Sequence, residues 1–288
     1  MDSAALLERY LVRTLRAASE SGPPRLAAAI RHAVFPGGAR IRPRLCLAVA
    51  RACGAEYAPA AMAAAAAIEL LHCASLVHDD LPCFDDASLR RGRPSVHRAH
   101  GERAAVLAGD ALIVLSMQTL SQQRAVPAEQ RLELLAVLTV AAGVPHGIAA
   151  GQAWECEPKV ALAPYQQFKT GSLFAAATAC GAIAAGADPA PWRLVGEHVG
   201  EAYQVADDIC DVSGDADTLG KPTGRDAVLG RPNAVAELGM ASAQARLQQL
   251  VEQSIAAIPD CPGAAELRGR FHYAVQQIVA RRLARPAA

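Results

Sequence analysis

Residues 76–97, LVHDDLPCFDDASLRRGRPSVH, gather four aspartates and three arginines into a short stretch of an otherwise apolar chain. Like charges that are buried together repel one another, and a carboxylate without a partner in a low-dielectric site tends to take up a proton. The stretch therefore predicts that positive groups lie among the aspartates. What those groups are depends on the rest of the chain.

The helical pattern of the chain surrounds this stretch on both sides. Apolar residues recur three and four positions apart, and alanine, leucine, glutamate, glutamine and arginine are frequent. The pattern predicts helices over 3–20, 24–35, 43–54, 58–80, 98–122, 128–150, 164–186, 190–213, 233–257 and 262–284, with breaks where proline and glycine cluster. Because no break resembles a long linker and no period repeats, we predict one all-α domain over residues 1–288, a bundle of about ten or more helices.

Composition argues against several classes of protein. The chain has 28 basic and 28 acidic residues, a formal net charge of zero, which argues against a dominant electrostatic grip on nucleic acid. Its eight cysteines show no CxxC pair or zinc-site spacing, which favours buried free thiols in a reducing compartment over disulfides. No apolar run is long and unbroken enough to predict a membrane span, and the charged N-terminus is unlike a signal peptide. We therefore expect a soluble, cytoplasmic protein.

Two acidic clusters stand out from the apolar helices. In the first, Pro82 disfavours helix at Leu81, so Asp85 must return from a loop and could meet Asp79 at one point. The second lies within YQVADDICDV, residues 203–212, where four polar side chains at i, i+3, i+4 and i+7 share one helical face. These four are Gln204, Asp207, Asp208 and Asp211.

Basic residues follow each cluster, in LRRGR (89–93) and in LGKPTGRD (219–226). Neither cluster has a histidine pair or a cysteine suited to zinc, so its carboxylates suit magnesium, which bridges a few carboxylates to substrate phosphates. Arginine and lysine pair with phosphate oxygens. Either cluster alone is also compatible with a solvated loop carrying surface ion pairs. Because the pattern occurs twice, it favours a site for metal and diphosphate. A calcium loop is disfavoured, since neither cluster alternates as D-x-D-x-D-G.

Four segments together resemble the trans-prenyl diphosphate synthases: HDDLPCFDDASLRRG (78–92), FKTG (168–171), YQVADDICD (203–211) and LGKPTGRD (219–226). The resemblance covers roughly residues 31–235. It implies the isoprenoid synthase fold with a central cavity ringed by helices, three magnesium ions with substrate bound, and a homodimer. It also implies an activity, the condensation of isopentenyl diphosphate with an allylic diphosphate by ionisation, condensation and elimination.

The resemblance further implies a role for each matching residue. The metal ligands would be Asp79, Asp80, Asp85, Asp207, Asp208 and Asp211. The allylic diphosphate would be bound by Arg90, Lys169, Thr170, Gln204, Lys221 and Arg231, with Lys169, Thr170 and Gln204 also catalytic. Isopentenyl diphosphate would be bound by Arg40, Arg42, His72 and Arg91. Taken alone, His72 favours a core histidine, but its position seven residues before Asp79 puts it on the same helical face, which favours the functional interpretation. Lys169, Thr170 and Gln204 are also compatible with capping and packing.

The sequence departs from the general pattern of that family at two places. Ala39 stands where a lysine for isopentenyl diphosphate is usual, and Arg231 and Asn233 stand in a segment usually written with lysine and threonine-tyrosine. The segments GGARIRP (37–43), GQAWE (151–155) and RPNAV (231–235) nevertheless resemble a bacterial branch of geranylgeranyl diphosphate synthases of carotenoid pathways.

Side-chain size before the first cluster predicts the product length. Ser75 lies one turn before Asp79, with Ala74 beside it, and both are small. Bacterial farnesyl diphosphate synthases, in the family that the chain resembles, carry an aromatic residue at or near this place as a floor. The resemblance therefore implies that the cavity here continues past these small residues to a floor near Leu70 or Leu71, and we expect a C20 product. A farnesyl (C15) synthase, a longer-chain enzyme and a non-catalytic helical partner subunit remain alternatives. A terpene cyclase is disfavoured because DDICD repeats the aspartate pattern.

Overall fold

A computed structural model describes residues 3–20, 22–55, 58–157, 167–213 and 233–271, and this part of the chain is almost entirely helical, as predicted. The first eight helices are α1 Ser3–Ser19, α2 Pro24–Val34, α3 Ile41–Ala52, α4 Pro59–Asp79, α5 Val96–His100, α6 Glu102–Ser121, α7 Ala128–Ala142 and α8 Ile148–Trp154. A π-helical turn, Gln167–Gly171, then leads into α9 Ser172–Ala184, α10 Pro189–Ser213, α11 Ala234–Leu238 and α12 Met240–Ala256. Residues 264–271 are again helical.

Helices α4 and α9 form the centre of the bundle. Most side chains of α4 are buried, including the alanine run 63–67, and nearly every residue of α9 is buried. Small side chains let neighbouring helices approach closely, and at Gly181 of α9 an added Cβ would come within 2.5 Å of the backbone oxygen of Cys46 in α3. This packing removes apolar surface from water, the main stabilising contribution to such a bundle.

Two predicted helices are divided where a glycine adopts a positive φ angle. The helix predicted over 98–122 is split into α5 and α6 at Gly101, with φ of 86°. The helix predicted over 233–257 is split into α11 and α12 at Gly239, with φ of 79°. Because residues other than glycine adopt this conformation only at a cost, glycine marks both breaks.

Other boundaries differ because of proline or fall outside the described residues. The helix predicted over 128–150 ends at Ala142, and α8 starts only after Pro145, whose ring disfavours helix in the residue before it. Parts of the helices predicted over 164–186 and 262–284 lie outside the described residues.

A short β-hairpin, which the sequence pattern did not predict, lies between α4 and α5. Strand β1, Leu89–Arg90, pairs antiparallel with β2, Arg93–Pro94. The connecting residues Arg91 and Gly92 have φ angles of 54° and 73°, as in the two-residue turns that match strand twist. The hairpin fixes the backbone of the arginines that follow the first cluster.

Two further expectations concern cysteines and membranes. None of the eight cysteines forms a disulfide, as expected from sequence, but only Cys46, Cys73 and Cys180 are buried, whereas Cys83 and Cys156 are exposed. The sequence was expected to contain no segment able to span a membrane. Contrary to this, α4 and α6 are each long and apolar enough to cross a membrane by length and composition alone. Of the apolar window in α4, 78% is buried inside the structure, as expected of a core helix, whereas in α6 the share is 33%.

Candidate active site

A cleft of about 410 Å³ lies between α3, α4, the hairpin, the π-helical turn and α10. These elements are far apart in sequence, and the fold brings their polar side chains to one cavity. The predicted site residues that line it are Arg40, Arg42, His72, Ser75, Asp79, Asp85, Arg90, Arg91, Lys169, Thr170, Gln204 and Asp207. The two acidic clusters therefore meet at one cleft, as the resemblance implied.

The loop after α4 returns Asp85 to the cleft. The backbone N–H of Asp85 donates to the carbonyl oxygen of Asp79 at 2.9 Å, and that of Asp86 donates to Leu81 at 3.0 Å. Asp86 has a φ angle of 43°, in the left-handed region that aspartate tolerates better than most residues. The predicted convergence of Asp79 and Asp85 is thus confirmed.

The carboxylate of Asp79 is buried at the end of α4. Its Oδ1 atom has no hydrogen-bond partner. Burial raises the pKa of Asp79; the charges of Asp85 and Glu155 raise it further, while Lys169 and Arg90 lower it. A buried carboxylate oxygen without a donor is a suitable ligand for a cation that enters the cleft.

Asp80, for which a metal role stays a prediction, pairs with Arg90 of the hairpin. Arg90 Nε donates to its two oxygens at 3.0 and 3.2 Å, and Arg90 Nη2 also bonds to it. Asp80 is 1% exposed and does not appear in the described lining of the cleft, whereas Arg90 does. Asp80 follows Asp79 at the end of α4, so its carboxylate points in a different direction, toward the hairpin. It therefore orients Arg90.

The residues of the second cluster also have different surroundings from one another, and Asp208 is held by hydrogen bonds. Thr170 donates to Gln204 Oε1 at 2.7 Å, and Gln204 Nε2 donates to Asp208 Oδ1 at 2.9 Å. The other oxygen of Asp208 accepts from the backbone N–H of Ala234 at 2.8 Å. Asp208 therefore joins α10 to the start of α11. The sequence had placed it with the metal ligands.

Only part of the predicted acidic face of α10 reaches the cleft. Asp207 lines the cleft, whereas Asp208 and Asp211 are buried and outside its described lining. A spacing of three to four residues puts side chains on one side of a helix, but that side is wide enough to face both the cavity and a neighbouring helix. The metal role of Asp208 and Asp211 stays a prediction, and of the acidic residues of this face only Asp207 is among the described lining of the cleft.

Arg42 and His72 of the cleft lie among basic and aromatic side chains. Arg42 Cζ lies 4.4 Å from the ring centroid of Phe174 and 5.7 Å from that of Tyr203, and Arg42 Nε is buried without a hydrogen-bond partner. Burial lowers the pKa of His72 well below its usual value, and the nearby arginines, first Arg42 and Arg91, lower it further. This part of the cleft thus presents a neutral imidazole among cations, a suitable environment for an anion.

Arg40 differs from its neighbour Arg42. Its guanidinium donates to Glu8 at 2.7 Å, to Glu69 at 2.5 Å and to the backbone oxygen of Val34 at 2.9 Å. Burial opposes its charge, yet the two glutamates raise its pKa. The resemblance assigned Arg40 to isopentenyl diphosphate, which stays a prediction; Arg40 lines the cleft, and its guanidinium contacts α1 and α4. Because both glutamates lie on other helices, the sequence spacing alone gave no sign of the pairing.

The residues predicted to set product length lie in different surroundings. Ser75 lines the cleft, and its hydroxyl donates to the backbone oxygen of His72 at 2.9 Å. Ala74 is 1% exposed and belongs to the hydrophobic core, as do Leu70 and Leu71. The structure therefore places Ser75, and not Ala74, on the cleft wall.

Two of the residues at which the sequence departs from the family pattern can be located in the structure. Ala39 is exposed and lines the cleft without contributing a charge. Asn233 caps α11, accepting hydrogen bonds from the backbone N–H groups of Val235 and Ala236 at 2.9 and 3.3 Å. Lys221 and Arg231 lie outside the described residues.

Sequence reasoning gave no role to several residues that contact the side chains of the cleft. Glu155 bonds to Lys169 Nζ at 2.6 Å, and Phe174 and Tyr203 stack with Arg42. Glu155 belongs to the segment GQAWE, which was quoted only for its resemblance to a family branch. The one feature of the sequence that could have indicated a role for Glu155 is that it is an acidic residue at the end of an apolar helix. Aromatic residues within helical patterns are usually core residues, and nothing in the sequence distinguished these two.

Magnesium fits this donor set only with help from a substrate. Within the described ranges, no three histidine, cysteine, aspartate or glutamate side chains converge closely enough to hold an ion by themselves. Asp79 and Asp85 line the cleft at the end of α4, and Asp207 lines it from α10. Magnesium typically uses one or two carboxylates, waters and substrate phosphate oxygens, so this arrangement suits it.

An all-α bundle whose cleft combines separate aspartates with arginine, lysine and histidine is typical of the isoprenoid synthases. Residues 23–266 match the polyprenyl synthetase family, and the chain belongs to that family of prenyltransferases. The resemblance found in the sequence is thereby confirmed.

Individual relatives agree with this assignment. The chain is 51% identical over 264 residues to a geranylgeranyl diphosphate synthase of Cereibacter sphaeroides, covering 92% of each chain. It is 37% identical over 257 residues to a farnesyl diphosphate synthase of Geobacillus stearothermophilus, covering 85% of this chain and 84% of that one. It is similar to the crystal structure of a geranyltransferase from Helicobacter pylori complexed with magnesium and isoprenyl diphosphate, with a TM-score of 0.78, 28% identity and coverage of 96% and 99%.

Proposed function

We propose that the protein condenses isopentenyl diphosphate with allylic diphosphates and releases geranylgeranyl diphosphate, the C20 product. The observation that carries the proposal is the single cleft in which Asp79, Asp85 and Asp207 lie with Arg42, His72, Arg90, Arg91 and Lys169. The similarity to a geranylgeranyl diphosphate synthase at 51% identity supports the C20 length. The more distant farnesyl diphosphate synthase supports the C15 alternative less strongly.

Magnesium is the proposed cofactor, and three ions are proposed with substrate bound. Asp79 and Asp85 would hold it at the end of α4 and Asp207 on α10, with substrate oxygens completing the coordination. When bound, the ions neutralise negative charge that develops on the leaving diphosphate. The unsatisfied Oδ1 of Asp79 supports this assignment, as does the magnesium complexed with the Helicobacter pylori geranyltransferase.

The allylic diphosphate is proposed to lie against Arg90 and Lys169. Arg90 is oriented by Asp80 and Lys169 by Glu155, so both cations are held in place before the substrate arrives. Fixed charges of this kind stabilise a leaving diphosphate without having to reorient during the reaction. The carbon–oxygen bond of the allylic substrate then breaks, leaving an allylic cation.

Thr170 and Gln204 are proposed to stabilise that cation. Each is fixed by the hydrogen bond between them, and Gln204 is fixed again by Asp208. Their oxygens carry partial negative charge at the wall of the cleft. The surrounding apolar helices limit the access of water, which would otherwise capture the cation.

Isopentenyl diphosphate is proposed to bind at Arg42, His72 and Arg91. Its double bond attacks the allylic cation, forming the new carbon–carbon bond, and the adjacent carbon loses a proton to the released diphosphate. Arg40 supports this site indirectly, because its contacts with Glu8 and Glu69 fix the start of α3 two residues before Arg42.

Product length tests the proposal. The purified protein is incubated with magnesium, labelled isopentenyl diphosphate and dimethylallyl, geranyl or farnesyl diphosphate, and the products are separated by chromatography. A dominant C20 product is expected from each primer. A C15 end product would retain the chemistry and replace the C20 assignment, whereas no product would favour a non-catalytic helical partner.

A homodimer is the proposed assembly, formed through α6. This helix carries four exposed apolar residues, Val106, Leu107, Ile113 and Val114, in two pairs seven residues apart, a spacing that puts them along one side of the helix. An apolar face of this kind is usually covered in the working protein. Replacing Leu107 and Val114 with glutamate should give monomers in light scattering, while glutamate at the exposed Leu132 of α7 should not.

The cytoplasm is the proposed location. Eight free thiols fit a reducing compartment, and the apolar window of α4 is mostly internal. Fractionation of cells that produce the protein should recover it with the cytosol; recovery with membranes after a high-salt wash would contradict the proposal.

A further inference from the structure

The segment GQAWE, residues 151–155, lies directly behind the cleft. At Gly151 an added Cβ atom would come within 2.2 Å of the backbone nitrogen of Lys169, a separation that real atoms do not adopt. Glycine at this position therefore lets α8 touch the π-helical turn. The end of α8 is held close to Lys169 as a result.

Glu155 is fixed between two donors at this contact. Gln152 Nε2 donates to Glu155 Oε2 at 3.1 Å, and Lys169 Nζ donates to Glu155 Oε1 at 2.6 Å. Because each carboxylate oxygen has its own donor, the orientation of the carboxylate is set. The side chain of Glu155 is 9% exposed, and it lies outside the described lining of the cleft, whereas Lys169 is part of that lining.

Asp79 lies near the same ammonium group. Lys169 Nζ is 3.5 Å from Asp79 Oδ1, an ion-pair distance that is too long for a strong hydrogen bond, and that oxygen has no hydrogen-bond partner. A lysine side chain has four flexible methylene groups and reorients readily. Its ammonium could thus move onto Asp79 if the shorter contact with Glu155 were removed.

We propose that Glu155 is a positioning residue that holds the Lys169 ammonium away from Asp79, so that the Asp79 carboxylate stays available to a divalent cation. The inference rests on the metal role proposed above for Asp79. An ammonium bonded to Asp79 would neutralise it and compete with the ion. Groups that orient the surroundings of a metal typically change its affinity by about 10- to 100-fold.

The test is the binding of Mn²⁺ to the whole protein in the presence of inorganic diphosphate, followed by the paramagnetic resonance signal of free Mn²⁺. Glu155→Gln is expected to raise the Kd for Mn²⁺ by about tenfold. In a Lys169→Met background the same substitution is expected to leave the Kd unchanged, since no ammonium remains to move. Glu157→Gln removes the same charge at an exposed position two residues away and serves as the matched control.

Two results would overturn the inference. One is an unchanged Kd in Glu155→Gln. The other is an equal rise in both backgrounds, which would mean that Glu155 acts through its own charge and not through Lys169. Gln152→Leu, which releases only one oxygen of Glu155, should raise the Kd severalfold and replaces Glu155→Gln if circular dichroism shows that the latter does not fold.

The same measurement separates this inference from the proposed function. Condensation assays on the unsubstituted protein decide the reaction, and a failure there leaves the manganese comparison valid. Absence of Mn²⁺ binding by the unsubstituted protein would overturn the role of Asp79, and with it that of Glu155, whatever the assays give.

Discussion

The guanidinium of Arg42 stacks on the ring of Phe174, with Cζ 4.4 Å from the ring centroid. Arg42 belongs to α3 and Phe174 to α9, so the contact joins two helices beside a residue that lines the cleft. A planar guanidinium suits this contact because it can stack on an aromatic face and still donate hydrogen bonds at its edge. The relationship explains how a buried cation is kept facing the proposed isopentenyl diphosphate site.

Arg42→Lys should weaken isopentenyl diphosphate binding. The substitution keeps the charge but loses the planar stack, and a desolvated cation–π contact contributes about 1–2 kcal/mol. We expect the KM for isopentenyl diphosphate to rise about tenfold, with a smaller effect on the KM for the allylic substrate. Arg44→Lys, on an exposed position of the same helix, is the control, and equal effects of both substitutions would contradict the assigned role.

Ala39→Lys should strengthen the same interaction. Ala39 is exposed and lines the cleft, so a lysine fits there and adds a cation near the proposed isopentenyl diphosphate site. Since an exposed ion pair contributes about 0.2–1 kcal/mol, the KM for isopentenyl diphosphate should fall by up to about fivefold. Steady-state kinetics at varied isopentenyl diphosphate measure the change. Ala125→Lys, in an exposed loop, should have no effect; a fall in KM there too would point to general charge attraction.

Asp79→Asn should abolish turnover and stabilise the metal-free fold. Burial raises the pKa of Asp79 above 3.8, so the folded protein holds this proton more tightly than the unfolded chain does. Stability therefore falls as pH rises from 3.8 through the folded pKa, and at neutral pH the ionised carboxylate is destabilising. Replacing it with a neutral amide should raise Tm by about 2–4 °C per kcal/mol relieved and lower kcat at least about 100-fold.

The control for that prediction is Asp85→Asn, because Asp85 lines the same cleft but is only half-buried. It should lower kcat as well, with a smaller change in Tm. Calorimetry at neutral pH without divalent ions makes the comparison. A lower Tm for Asp79→Asn would show that the ionised carboxylate stabilises the fold, against the direction of its pKa.

Ser75→Phe should shorten the product. Ser75 lines the cleft one turn from Asp79, so an aromatic ring there would block a growing prenyl chain. Mass spectrometry should show C15 or C10 in place of C20. An unchanged C20 product would show that the chain extends elsewhere.

Ala74→Phe serves as the comparison for Ser75→Phe. The sequence predicted that Ala74 and Ser75 both face the cavity, but Ala74 lies in the core, where a larger ring costs about 1–3 kcal/mol of stability. We expect it chiefly to lower Tm. A shortened product without loss of stability would restore the sequence-based prediction for Ala74.

Local physical rules account for what the sequence could predict. Helical periodicity identified the main helices, and Pro82 required the chain to leave α4 and return Asp85 toward Asp79, as the backbone hydrogen bond between them confirms. Aspartate clusters that are each followed by basic residues indicated a site for metal and diphosphate, because each cluster needs opposite charge nearby.

The remaining features depend on contacts between distant segments. Asp80 and Asp79 are adjacent in sequence, yet one pairs with Arg90 of the hairpin and the other faces the cleft. Arg40 and Arg42 likewise lie two residues apart but contact different helices: Arg40 pairs with Glu69 of α4, and Arg42 lies over Phe174 of α9. Such choices are set by tertiary packing, which residue spacing does not encode.

The most direct test of the proposed function is the length of the product made from isopentenyl diphosphate and farnesyl diphosphate with magnesium. We predict geranylgeranyl diphosphate as the dominant product, with none formed when magnesium is removed by a chelator. A protein that consumes neither substrate, or that forms the product equally well without a divalent ion, would contradict this function.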